Sequence, residues 1–340
     1  MYNNSKPAKQ DVFLLNWLIL IFILVLTMII IGGITRITDS GLSMVEWRPI
    51  WGFLPPITDE EWKRVFSLYM SSPEYIFKNQ GMSIIEFKKI FFWEYFHRLW
   101  GRLIGIVFII PLIIFYLFNK IPNSILLKLL TILLLGSLQA VIGWWMVKSG
   151  LVNDPTVSQY RLAVHLSNAL LILFLLIWTL LEFNNGHSKI KLDFSFIVFC
   201  FLFTTIIAGA FVAGMDAGLM YNEYPLMGYS FIPENYGENG FLDPFENPAS
   251  AQFHHRHIAL FTTICVLIYC YRNYTQISDR IVKKFSLFMS AVVCFQFFLG
   301  IFTLINMVPV YLGALHQTGA VILFITLTII MHRLNMVKIN

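Results

Sequence analysis

The chain of 340 residues is 57% hydrophobic and 13% charged, with a mean hydropathy of +0.70. So few charges cannot cover an ordinary soluble domain, and the composition predicts an integral membrane protein. The net charge of +5 is modest and forms no basic patch, which excludes a nucleic-acid partner and leaves Lys and Arg as orientation signals.

Apolar runs of about 20 residues, long enough to cross the hydrocarbon core, occur at 12–34, 92–118, 125–147, 162–183, 193–214, 252–271, 285–306 and 310–331. They predict an all-α integral membrane fold of eight transmembrane helices surrounded by lipid. Lys6 and Lys9 precede the first run, and no small-residue cleavage site follows it, so it is expected to stay as the first helix. Long loops follow the first and fifth runs. The loop 215–251 has no Lys or Arg, whereas Arg272, Arg280, Lys283 and Lys284 crowd the next short connection. That asymmetry predicts long loops outside and both termini cytoplasmic, in a bacterial inner membrane. The first long loop weighs against it, with Arg36, Arg48, Lys63, Arg64, Lys78, Lys88 and Lys89. Cys200, Cys265, Cys270 and Cys294 lie in or at the ends of apolar runs without C-x-x-C spacing, so no structural disulfide is expected.

The chain repeats itself at the level of four helices. Gly32-Gly33-Ile34-Thr35-Arg36-Ile37-Thr38-Asp39-Ser40-Gly41-Leu42 aligns with Gly209-Ala210-Phe211-Val212-Ala213-Gly214-Met215-Asp216-Ala217-Gly218-Leu219, and Glu46 with Glu223. Phe96-His97-Arg98 aligns with His254-His255-Arg256, Gln139 and Gly143 with Gln296 and Gly300, and His165 with His316. An even number of spans preserves direction, so residues 1–184 and 185–340 are expected to be two four-helix bundles related by a pseudo-twofold axis along the membrane normal.

Each half therefore holds two histidines, His97 and His165 in the first and His255 and His316 in the second. All four fall in the first turns of even-numbered helices, roughly 6 to 8 Å below the helix starts at about 1.5 Å per residue, and so share one layer. One turn on from each stands a small residue: Gly101, Ala169, Ala259 and Ala320, with Gly105 a further turn along. Small residues beside a histidine clear a flat space between helices, and a planar group with two axial imidazoles is haem. A zinc site would need its ligands to converge on one ion and no cleared helix face. Ordinary helix packing also uses small residues, and a lone membrane histidine is more often a packing or relay residue; two matched pairs outweigh that reading. His254 and His257 are expected to pack or to lie on the propionate side, and His187 and His332 to have no role.

Arg98, Arg102 and Arg256 flank the histidines. Snorkelling accounts for one of the three; Arg98 and Arg256, matched by the repeat, are expected to pair with haem propionates. Gln139 and Gln296 read equally as interhelical glue or as site residues. Glu46, among Met44, Trp47 and Trp51, is the candidate catalytic carboxylate. A folded loop would bring it over the first haem pocket, where loss of water suits it to proton transfer. Glu94, one turn before His97, is a weaker candidate of the same kind.

The run from Gly32 to Pro56 and the stretch Glu94-Tyr95-Phe96-His97-Arg98-Leu99-Trp100-Gly101-Arg102 resemble the heme A synthase family in its alphaproteobacterial and mitochondrial form, as does the placement of His165, His255 and His316. The resemblance covers essentially the whole chain. It implies an oxidoreductase that turns a methyl group of haem O into the formyl group of haem A, destined for cytochrome oxidase. It further implies haem b as a cofactor on His255 and His316, haem O as substrate on His97 and His165, and Glu46 at the essential loop carboxylate. Expected partners are haem O, the enzyme that makes it and an electron acceptor; a homo-oligomer is compatible with the sequence. Many bacterial relatives carry a loop cysteine pair that this chain lacks, so no disulfide chemistry is carried over. Helices and histidines alone would also fit a di-haem b cytochrome passing electrons from quinol to a partner, or a transporter with histidine proton relays.

Overall fold

A computed structural model describes residues 11–46, 52–152 and 154–336. Trp47, Arg48, Pro49 and Trp51 of the first long loop, and Lys6 and Lys9, lie outside the described residues. Among those described there is no strand, only isolated bridges Ser188–Met336 and Met227–Ser230. The long helices are α1 (Val12–Ile37), α4 (Ile84–Leu117), α5 (Asn123–Gly150), α6 (Gln159–Asn185), α7 (Phe194–Gly214), α9 (Pro248–Gln276), α10 (Arg280–Ile305) and α11 (Val310–Asn335). Short helices α2 (Asp59–Met70) and α3 (Pro73–Phe77) lie in the first long loop, and α8 (Asp243–Glu246) in the second. Helix starts follow local chemistry: the Asp11, Asp193, Asn247 and Asp279 side chains accept from first-turn amides, and Pro122 and Pro309 precede α5 and α11.

Seven of the long helices are apolar enough to cross a membrane by length and composition. The eighth, α9, is as long as its neighbours but opens on Gln252, His254, His255, Arg256 and His257, which dilute its apolar stretch. A further departure concerns α4, which begins at Ile84 and not near residue 92. Ser83 and Glu86 form a reciprocal capping box there, and the added turns lift Phe87 and Phe91 out to meet α2. His97 thus sits well inside its helix rather than in the first turns.

Within each half the helices follow the same order: α1 packs on α4, α5 on α6 and α6 back on α1, with α4 and α5 only touching; α7 packs on α9, α9 closely on α10, α10 on α11 and α11 back on α7. Between halves, α6 packs on α7, α1 on α11, and α6 on α11. Exchanging the halves maps this neighbour scheme onto itself, which is compatible with the expected pseudo-twofold. The main core lies where the first and fourth helices of the halves meet, through Leu14, Leu18 and Ile21 of α1, Leu170 and Leu173 of α6, and Phe324 and Leu327 of α11. Leu103, Ile106, Ile110 and Ile113 of α4 and Leu127, Leu134 and Leu138 of α5 stay exposed. An apolar face of that size belongs in lipid, where helices need no partner for their backbone.

A second, smaller core caps the first half. Tyr69, Phe87 and Phe91 are buried together, with Trp62, Phe66 and Tyr75 around them. Trp62 meets Phe91 edge-on at 5.0 Å, and Phe66 lies 5.0 Å from Phe87. Beneath them Glu74, 3% exposed, accepts from the Tyr69 hydroxyl at 2.9 Å. Burial, then the nearby Glu94 and Asp39 charges, push its carboxyl up to about 7, against the Tyr69 hydrogen bond and Lys78.

Candidate functional site

The four histidines stand on α4, α6, α9 and α11, two in each half. His97 and His165 are near neighbours within the first half, as are His255 and His316 within the second. Each ring also lies against a glycine of the preceding helix. An added Cβ would stand 3.5 Å from His97 Cε1 at Gly32, 3.1 Å from His165 Cε1 at Gly143, 3.1 Å from His255 Cε1 at Gly209 and 2.8 Å from His316 Cε1 at Gly300. Four rings on four glycines repeat one packing solution, with the backbone of a neighbouring helix as the wall behind each imidazole. These glycines were missed as site residues. The signal was present, because Gly32 pairs with Gly209 and Gly143 with Gly300 in the repeat, but their role depends on contacts between helices. Of the small residues beyond the histidines, Gly101 faces Met28, and an added Cβ at Gly105 would meet nothing within 4 Å, which is open space beside the helix.

Two glutamines hold the second histidine of each pair. Gln139 Nε2 donates to the His165 carbonyl at 3.1 Å and lies 3.2 Å from its ring Nε2. Gln296 Nε2 donates to the His316 carbonyl at 2.6 Å and lies 3.1 Å from its ring Nδ1. The ring Nδ1 atoms of His165 and His255 are buried without a hydrogen-bond partner among the described residues. A buried orphan nitrogen is costly, a ligand on each would offset that cost, and the donor set of two imidazoles per half fits haem iron. The described residues contain no cluster of three or more His, Cys, Asp or Glu able to hold a bare metal ion.

Arg98 and Arg256 hold loop backbone on the long-loop side. Arg98 donates to the carbonyls of Met44 at 3.1 Å and Glu46 at 3.3 Å, and to the Glu94 carboxylate at 2.5 Å. Arg256 donates to the carbonyls of Tyr221 at 2.9 Å and Leu226 at 3.1 Å. Met44 and Tyr221 are matched positions of the repeat, so the two arginines do the same work. Glu94, 3% exposed, also accepts from Ser43 Oγ and Met44 N, both at 2.7 Å. Its repeat partner Gln252 instead donates to the Tyr221 carbonyl at 3.0 Å. The first half thus carries a buried carboxylate where the second carries an amide.

Glu46 is more open. Its carboxylate is bound by Arg64 through two contacts of 2.9 and 3.1 Å, with both side chains more than a third exposed. Glu61 and then Glu46 push the Arg64 guanidinium still higher than its ordinary range. Glu223 accepts from the Gly228 amide in its own loop. A cavity of about 240 Å³ lies below the loop, lined by Met44, Arg98, Gly143, Trp144 and Lys148 among others, so two cations meet the wall on which His165 rests. Arg102 lies over the Phe53 ring at 5.4 Å.

The remaining histidines stay apart from the pairs. His254 contacts Tyr236 at 3.2 Å, and His257 bonds the Phe253 carbonyl at 2.8 Å. His187 meets Glu182 at 2.8 Å. His332, 1% exposed, lies edge-on to Trp178 at 5.1 Å and packs in the core at the last turn of α11.

Paired histidines in the two halves of an all-helical, multi-pass membrane chain, each on a glycine wall, define a membrane protein whose donor set would suit a haem in each half. The comparisons narrow the class: the sequence profile of the cytochrome oxidase assembly protein family (COX15-CtaA) matches residues 15–328, and the chain belongs to that family. Similar proteins carry the name Heme A synthase. That of Maricaulis maris is 42% identical over 333 residues, 96% of each chain. That of Parvibaculum lavamentivorans is 41% identical over 327 residues, 94% of this chain and 93% of its own. That of Rickettsia felis is 40% identical over 325 residues, 92% of this chain and 96% of its own.

Proposed function

We propose that this chain is a haem A synthase, an oxidoreductase acting on a C–H group, which oxidises a methyl of haem O to the formyl group of haem A. Near-full-length similarity to proteins of that name carries the reading, and the paired histidines support it. The rival di-haem b electron carrier is less favoured, because it gives no reason for a buried carboxylate at Glu94 where the second half has the amide Gln252.

Residues 1–184 form the substrate bundle, where His97 and His165 hold the iron of haem O. Residues 185–340 form the cofactor bundle, where His255 and His316 hold haem b, which when bound supplies one-electron transfer. Lys148 and Arg98 at the cavity wall supply positive charge for the substrate's carboxylates, and Arg256 does so in the second half. With water as the oxygen donor, each of two hydroxylations forms a C–O bond and sends a pair of protons to base and a pair of electrons to the acceptor, and the resulting gem-diol loses water to give the formyl group. Glu94, one turn from His97, is the carboxylate nearest the reacting edge, and Glu46 lies next outward. Together they take protons from the substrate and pass them to the loop side. Arg98 keeps Glu94 and the loop carbonyls in register, and the aromatic cap excludes water. The lack of Lys and Arg in 215–251, against the cations at 272–284, supports a bacterial inner-membrane protein with loops outside and termini cytoplasmic. Haem O comes from the enzyme that makes it, and an acceptor removes the electrons.

The test is conversion of haem O to haem A by membranes containing the chain. Wild type should produce haem A, while Glu94→Gln and Glu46→Gln should produce none yet keep haem b. Full conversion by either variant removes that residue from the mechanism, and no conversion by wild type removes the function.

A further inference from the structure

The glutamine clamps differ between the halves in the ring nitrogen they face, Nε2 of His165 against Nδ1 of His316, and in what stands behind each amide. In the first half Asn168, 6% exposed, donates to Gln139 Oε1 at 2.6 Å and to the Leu135 carbonyl at 3.0 Å. The acceptor-only carbonyls of Leu135 and His165 fix both amides, so Gln139 must turn its nitrogen toward the His165 ring. In the second half the repeat puts Gly319 where Asn168 stands. Gln296 Oε1 is buried without a hydrogen-bond partner among the described residues, and a Cβ on residue 319 would overlap it.

A neutral imidazole offers one acceptor nitrogen and one N–H. When iron takes the acceptor, the other nitrogen carries the hydrogen and is best met by an oxygen, which orients the ring and strengthens the ligand. Gln139, locked by Asn168, meets it with N–H instead. Gln296 has nothing holding its oxygen and a glycine leaving room beside it. Its amide can turn to accept from the His316 ring if it gives up the His316 carbonyl and draws its oxygen away from that carbonyl into the space beside Gly319.

We propose that Asn168 is a positioning residue that weakens iron ligation by His165, so that haem in the first half exchanges readily while haem in the second is retained by His316. The proposal rests on the reading that the first half handles a substrate, which must arrive and leave, and the second a resident cofactor.

The test uses the purified full chain saturated with haem b, with transfer of haem to excess apomyoglobin followed by absorbance. Wild type should lose haem in two phases, the faster one abolished by His165→Ala and kept in His316→Ala. Asn168→Gly and Asn168→Ala should each slow the faster phase by about tenfold or more, the scale of effects from groups that orient a metal-bound histidine, and should shift the α-band of that haem. An unchanged or quickened first-half phase in both variants overturns the proposal, as does slower loss from the first half than from the second in wild type. Mass analysis of haem extracted from cells tests the underlying reading separately: absence of farnesylated haem overturns substrate handling without touching the exchange rates.

Discussion

The glycine walls give a graded prediction. Alanine in a helix interior normally stabilises by about 1 kcal/mol relative to glycine, so Gly→Ala on a long helix should be benign or helpful. At Gly300 the new Cβ would stand 2.8 Å from His316 Cε1 and 3.4 Å from Nδ1, inside the range where the ring must shift. Overpacking of that kind costs about 1–3 kcal/mol. Because the ring must sit in place to bind iron, the cost falls on ligation, and the affinity of that half for haem should drop roughly 5- to 150-fold. Gly143→Ala and Gly209→Ala, at 3.1 Å, should be intermediate, and Gly32→Ala, at 3.5 Å, close to wild type. Haem titration of each purified variant, alongside thermal unfolding of the haem-free protein, separates ligation from folding. The reasoning fails if Gly300→Ala binds both haems as wild type does, or if Gly32→Ala loses as much as Gly300→Ala.

Three other outcomes follow from the long-loop side. Arg98→Leu leaves the buried Glu94 carboxylate without its cation and should destabilise by about 3–5 kcal/mol, read as a lower unfolding temperature; Arg98→Leu with Glu94→Leu should recover much of it, and a double variant no better than the single one contradicts the pairing. Glu74 has a folded pKa raised from 4.5 to about 7, so its stabilising contribution is complete below pH 4.5 and is lost as pH rises through 7. Limited proteolysis of the 52–83 segment should therefore quicken between those values, and Glu74→Gln should remove that dependence. Arg64→Met releases the Glu46 carboxylate at an exposed pair, so unfolding should change by no more than about 1 kcal/mol while haem A formation falls; equal loss of stability and activity would make Arg64 structural only.

The order of the long helices, the repeat and the four paired histidines were legible because each leaves a signal along the chain: apolar length, or a spacing that recurs. What escaped was set by contacts between distant segments. Gly143 and Gly300 looked like ordinary helix glycines until each faced a histidine ring from the next helix. Arg98 was expected at propionates; that it also holds two carbonyls of the first long loop and the Glu94 carboxylate of its own helix depends on how that loop folds back. Glu94 ranked below Glu46 because sequence cannot distinguish a buried carboxylate from an exposed one. The start of α4 was placed late because hydropathy marks where a helix enters lipid, whereas the Ser83 capping box marks where it begins. The seven apolar spans, against eight expected, reflect the same tension in α9, whose polar first turns carry His255 and Arg256.

The most direct test of the central claim is the identity of haem extracted from the purified chain, by mass, in wild type and in two histidine variants. The account predicts haem b together with farnesylated haem O or A in wild type, loss of the farnesylated haem alone in His97→Ala, and loss of haem b in His316→Ala. Haem b as the sole haem, lost in part by either variant, would contradict it and return the chain to a carrier of electrons.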